Sequence, residues 1–250
     1  MIRRIVKILI AFCLLLLVAK SVAEAQNRTR TASRVTRAQT REAERLLAEF
    51  GYWTGPVDGV FDAGSRFALV AFQKWEQRPA TGTLSLEEIE AIRGAKTPTP
   101  RDGDYEHVEV DVDRQVLLII DGKGGVRVLP VSTGTDKPFV YGGQESIAYT
   151  PRGRFIVYEK GVGWEDNSLG MYYPNYISGG IAVHGSLSVP SEPASHGCIR
   201  IPVYAAREVS KLLPLGTIVL VYDKISFVSA KVWVENPKLK EAALANSVLY

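Results

Sequence analysis

The spacing of apolar and polar positions changes character along the chain. Ile8 to Ala19 is an unbroken apolar run, with Arg3, Arg4 and Lys7 before it and Ala23-Glu24-Ala25 after it. About twelve apolar residues are too few to cross a bilayer comfortably. With the basic start and the small-x-small site, they predict a signal peptide over residues 1–25, cleaved near Ala25 or kept as an anchor. Residues 26–35 are polar, basic and aperiodic, and read as a flexible leader. From Thr36 the spacing becomes helical: Ala43, Leu46, Leu47 and Phe50 share a face, and Gly51 follows as a C-cap. A turn-rich stretch, Tyr52 to Phe61, leads to a second helix from about Ala63 to Glu76, with Phe67, Val70, Ala71 and Trp75 on its stripe. Ser85 and Glu88 have the spacing of a capping box for a third, short helix ending near Arg93. Residues 36–94 are thus predicted to form a small three-helix domain. Residues 95–104, rich in Pro, Gly and charge, are predicted to form a linker.

From Tyr105 the period switches to two. Strands are predicted over His107 to Val112, Gln115 to Asp121, Val126 to Thr133, Arg154 to Tyr158, Gly180 to Val183 and Thr217 to Tyr222. Asp121 to Gly125 marks a hairpin turn. A single clear helix, Val203 to Leu212, interrupts them. Short strands with turn signals and little helix predict a mainly β sandwich or barrel over residues 105–222. In the tail, residues 223–250, Val232-Trp233-Val234 reads as a further strand and Pro237 to Asn246 as a polar helix.

The formal net charge is +3, and the first 25 residues alone carry +3. The remainder is near neutral and has no nucleic-acid footprint. Of the two cysteines, Cys13 lies in the apolar run, so removal of that run leaves Cys198 without a partner. Exported proteins favour paired cysteines. A single thiol flanked by Ser195, His196 and Gly197, all polar or small, points to chemistry rather than to packing.

A thiol attacks a carbonyl as thiolate, and a histidine in reach supplies the base. His184 and His196 are the candidates. A base on a neighbouring strand can face the thiol squarely, which favours His184 over His196 in the same tight turn. The Gly185 carbonyl is placed to orient the His184 imidazole. Gly197 permits close approach of the backbone, and the amides of Gly197 and Cys198 are candidate oxyanion donors. Arg200 is a candidate for a substrate carboxylate, and Glu192 reads as a solvated loop charge. His184, His196 and Cys198 could also supply three zinc-type donors, but no fourth is spaced near them, so neither metal nor cofactor is expected.

Two stretches carry a family resemblance. Leu46-Leu47, GYWTGPVDGVF, AFQKW and ATGTLSLEEI resemble a peptidoglycan-binding module over residues 36–94, with Ala63-Gly64-Ser65 departing from the usual Gly-x-x-Thr helix start. The segment VHGS…ASHGCIRI, supported by VSTG, TPRGRF and GMYYPNYISGG, resembles the signature of the L,D-transpeptidase catalytic domain, the YkuD-type β-sandwich. The resemblance implies an exported, periplasmic or wall-side enzyme without cofactor. It would take tetrapeptide stems of peptidoglycan, release the terminal D-alanine and hold the stem as a thioester. A second stem would give a third-to-third crosslink, a wall lipoprotein would be anchored, and water would make the enzyme a carboxypeptidase. By position, Cys198 is the nucleophile and His184 the general base and acid. Gly185, Ser195, His196, Gly197 and Arg200 complete the pocket, with Tyr149 and Tyr173 as further substrate contacts. A non-catalytic wall-binding protein is the reading from another class.

Overall fold

The computed structural model describes residues 34–103, 105–165 and 170–247. The apolar run of residues 8–19, Cys13 and most of the 26–35 leader lie outside them. The described residues from Arg37 onward form one compact unit.

Three helices come first: α1 (Arg37–Glu49), α2 (Ala63–Trp75) and α3 (Leu86–Arg93). Asp62 caps α2 by accepting the Ser65 N–H at 2.9 Å, and the Ser65 hydroxyl donates to buried Glu44 of α1 at 2.8 Å. The departure at Ala63-Gly64-Ser65 therefore keeps its helix start. At α3 the Ser85 hydroxyl accepts the Glu88 N–H, while the Glu88 carboxylate receives Arg78 at 3.0 Å. Burial on α2 runs beyond the expected stripe, from Ala68 through Lys74, because the helix packs on α1 and also on a strand of the β domain.

The strands are β1 (Glu106–Asp111), β2 (Val116–Asp121), β3 (Val126–Pro130), β4 (Pro138–Tyr141), β5 (Gln144–Ile147), β6 (Gly153–Ile156), β7 (Glu159–Lys160), β8 (Tyr172–Ser178), β9 (Ile181–Ser186), β10 (Ile199–Pro202) and β11 (Ile218–Tyr222). The helix α4 (Val203–Leu212) links β10 to β11. A five-stranded sheet, ordered β3-β2-β1-β11-β6, faces a four-stranded one, ordered β10-β9-β8-β7, and β4-β5 is a separate hairpin. Val108, Val110, Leu117, Leu129, Val219 and Val221 from the first sheet share one core with Ile177, Val183, Ile199 and Ile201 from the second, closed by Ala205, Ala206 and Val209 of α4.

The opposite face of the first sheet is also dry. β11 reads as continuously apolar because Ile218, Leu220 and Tyr222 point outward under Ala230, Phe227 and Trp233 of the tail. The tail forms α5 (Lys231–Glu235) and α6 (Pro237–Ser247). Residues 232–234, expected as a strand, are helical: Trp233 and Val234 hydrogen-bond back to the Ala230 carbonyl. Their β-branched composition yields to a local helix that lets Trp233 cover the sheet.

Residues 95–104, expected as a linker, are tied down at Arg101 and Asp102. Their N–H groups donate to buried Glu109 at 2.9 and 2.7 Å, and Asp102 accepts from Ser229 and from the Ala230 N–H. Glu109 also accepts from Tyr222 at 2.8 Å and faces His107 at 3.1 Å. The polar positions of the alternating β1 thus serve a buried network rather than solvent.

Candidate active site

Cys198 sits in the turn that feeds β10, and β10 pairs parallel with β9 so that Arg200 lies opposite His184. This pairing brings Cys198 to the same cavity as His184, which lies 14 residues before it in sequence. The helix α4 seals the back of β9. A side chain at Gly185 would strike Ala206 at 2.5 Å, so glycine there lets the helix and strand close.

His184 is buried, and its Nδ1 lies 2.9 Å from the Gly185 carbonyl. A carbonyl only accepts, so Nδ1 carries the proton and Nε2 is left as the basic nitrogen. Burial holds this imidazole down to about 4; the Gly185 carbonyl and Glu165 oppose the shift and Arg200 adds to it. Burial pushes the Cys198 thiol up, against the Ala182 N–H and the Arg200 charge. At neutral pH the resting pair is therefore thiol and neutral imidazole. The Cys198 Sγ lies 3.6 Å from the Gly180 carbonyl and 4.0 Å from Met171 Sδ.

A cavity of about 280 Å³ is lined by Cys198, His184, Arg200, His196, Ser195 and Tyr149, with Phe139, Ser146 and Ile147 from the β4-β5 hairpin and Met171, Gly180 and Ile181 from the β8-β9 region. Two larger grooves, about 710 and 720 Å³, open between the helices and the five-stranded sheet and hold no cysteine. Among the described residues no carboxylate pairs with the Arg200 guanidinium, so its charge is available to an anionic ligand. His196 is exposed at the lip and stacks on Phe139, centroids 4.4 Å apart and planes at 19°. Tyr149 lies under the Arg152 guanidinium at 4.9 Å.

Two expectations change. The Gly197 N–H is not available to an oxyanion, because it donates to Ser195 Oγ at 3.0 Å; the Cys198 amide is the candidate that remains. Tyr173 does not line the cavity. With φ at +49° it packs edge-on to Tyr172 at 4.7 Å and against the sandwich core. Glu192, read as a loop charge, is exposed, and its backbone carbonyl accepts from Ser132 at 2.8 Å.

The cavity and the loop behind it also use residues that the sequence reading passed over. Phe139 and Ile147 belong to a hairpin whose Gly142-Gly143 turn was a usable signal. Thr150 donates to the Gly197 carbonyl at 2.6 Å and accepts the Gly134 N–H at 2.8 Å. Thr133 accepts the Ala194 and Ser195 N–H groups at 3.0 and 2.9 Å, and so holds the nucleophile loop against the end of β3.

Comparison with known proteins adds independent findings. Residues 105–221 match the model of the L,D-transpeptidase catalytic domain, and residues 36–92 match that of a peptidoglycan binding domain. The solved L,D-transpeptidase (residues 123–326) of Xylanimonas cellulosilytica DSM 15894 is 35% identical, with a TM-score of 0.69, covering 73% of this chain and 92% of that one. An L,D-transpeptidase of Stackebrandtia nassauensis is 20% identical, with a TM-score of 0.44, covering 73% and 90%. Among curated proteins, the localization factor PodJL of Caulobacter vibrioides is 36% identical over 50 residues, which is 20% of this chain. The chain spans only 5% of that relative's length.

Proposed function

The chain belongs to the L,D-transpeptidase family, and from that premise we propose that it acts on peptidoglycan and that its residues divide the work as follows. The observation that carries the reading is one cavity holding a lone thiol, an imidazole with its basic nitrogen uncommitted, and an unpaired guanidinium. His184 Nε2 takes the thiol proton as Cys198 Sγ attacks the carbonyl of the third stem residue. The C–S bond forms and the carbonyl pair moves onto oxygen. The resulting imidazolium is stabilised by the Nδ1–H bond to Gly185 and returns the proton to the departing amine. D-alanine leaves, and a thioester remains on Cys198. Arg200 holds a substrate carboxylate.

An amine of a second stem then resolves the thioester to a third-to-third crosslink, with a wall lipoprotein amine as another acceptor. The work takes place on the wall side of the inner membrane, in the periplasm, to which the signal-like residues 1–25 direct the chain. That placement and the acceptor rest on the sequence pattern and on the family.

The test is intact mass after incubating the chain with a disaccharide-tetrapeptide, with released peptides analysed in the same run. Expected is a thioester adduct with loss of D-alanine, absent in Cys198→Ala and slowed about 10²- to 10⁴-fold in His184→Ala. Dimer product identifies a transpeptidase; tripeptide alone identifies water as acceptor, an L,D-carboxypeptidase. No adduct and no product would overturn the assignment and leave a wall-binding protein.

A further inference from the structure

The peptide units on either side of the nucleophile are held from two directions. Ser195 Oγ accepts the Gly197 N–H at 3.0 Å and donates to the Cys198 carbonyl at 2.6 Å. Thr150, fully buried, donates its hydroxyl to the Gly197 carbonyl at 2.6 Å and accepts the Gly134 N–H at 2.8 Å. The described peptides are all trans, so the Gly197 C=O and the Cys198 N–H, which share one plane, point in opposite directions. Holding that carbonyl toward Thr150 holds the Cys198 N–H away from it. Among the described residues nothing accepts from this N–H. The backbone has little room to reorient: Gly197 has φ +141°, and its Cβ position lies 2.8 Å from the Tyr149 carbonyl and 2.7 Å from Ile181.

We propose that Thr150 is a positioning residue, whose hydroxyl sets the plane of the Gly197–Cys198 peptide and so aims the Cys198 N–H at the oxyanion formed when Sγ attacks the stem carbonyl. This rests on the acylation chemistry given above. The oxyanion accepts that N–H, and when the carbonyl re-forms the amine leaves with the proton held by His184. Thr150 touches none of the reacting atoms. It does for the oxyanion donor what Gly185 does for the imidazole, fixing its direction through a partner in the backbone.

Two reactions of the same thiol separate this role from mere support of the fold. Acylation by the disaccharide-tetrapeptide passes through an oxyanion; alkylation by iodoacetamide is displacement at a saturated carbon and does not. Thr150→Val keeps the shape and removes the hydroxyl, and Thr150→Ser restores it. The valine variant is expected to lose about 10²-fold in the acylation rate constant with KM little changed. Its alkylation rate should stay within about twofold, and the serine variant should recover most of the loss. In amide NMR spectra the Cys198 cross-peak should move in the valine variant and return in the serine one. The proposal is overturned if the valine variant acylates at the native rate, if acylation and alkylation fall together, or if serine fails to rescue. Should valine unfold the site, Thr150→Ala, which leaves room for a water, is judged by the same two rates. If the unaltered chain does not acylate, the reaction assignment fails by itself, and the Cys198 amide signal alone decides the role of Thr150.

Discussion

At the scale of single residues, the balance at Cys198 is between burial and charge. Burial raises the thiol and lowers the imidazole, and both effects favour the uncharged pair. A preformed thiolate–imidazolium would react with iodoacetamide at a rate that levels off below neutral pH. The uncharged pair predicts instead a rate that climbs steadily through about pH 7 to 9 as the thiol ionises. The acid limb of kcat/KM should lie near the His184 value of about 4, not near the ordinary 6.5. A pH series of alkylation and turnover checks both. The same shift affects stability. Because the folded-state imidazole is lowered, the unfolded chain binds more protons between 6.5 and about 4, so stability falls as pH drops through that window. His184→Gln should lessen this loss in the folding midpoint measured at either end of the window.

At the scale of elements, Lys74 ties α2 to the segment that follows β3. Its ammonium is buried and donates to the Val131 carbonyl at 2.8 Å, just before the Ser132 and Thr133 pair that holds Arg200 and Ser195. Burial lowers this lysine to about 7 from 10.5. Between those values the unfolded chain binds more proton than the folded one, so stability rises with pH across the window and the whole penalty remains below it. Lys74→Met should flatten that rise, read as the difference in urea midpoint between variant and native chain at about pH 7 and 9.5. Native-like slope in the variant would mean that Lys74 is solvated. Elements of this kind explain what was legible in advance. The helices were readable because a 3.6-residue period and caps such as Gly51 and Ser85 are local signals. Several strands were not: β7 has two residues, β10 is hidden in the nucleophile motif, and β8 carries a bulge between Tyr172 and Asn175 that breaks the alternation. Cys198, His184 and the Gly185 carbonyl could be read from one short segment. Phe139, Met171 and Thr150 could not, because only the folded chain carries them to that segment.

At the scale of the whole molecule, the three helices are a structural part of the β domain as well as a region matching a wall-binding module. β3 is an edge strand of its sheet, and Val128 on it exchanges hydrogen bonds with the helical region, donating to Gly51 and accepting from Trp53 at 2.8 and 2.9 Å. Tyr204 of α4 donates to the Trp53 carbonyl at 3.3 Å. An edge strand closed this way neither frays nor recruits another chain. A module on a free tether would act by concentrating the enzyme on a polymer, and its loss would spare turnover of small soluble stems. The packed arrangement predicts a different result. A chain beginning at residue 95 should melt at least about 5 °C lower, show concentration-dependent aggregation through β3, and acylate the soluble disaccharide-tetrapeptide more slowly. Melting, light scattering and single-turnover acylation on that small substrate distinguish the two. Native rate and native melting point in the shortened chain would show that the Val128 and Lys74 contacts contribute nothing to the site. Slowing confined to intact wall sacculi would show that the helices act only as an anchor.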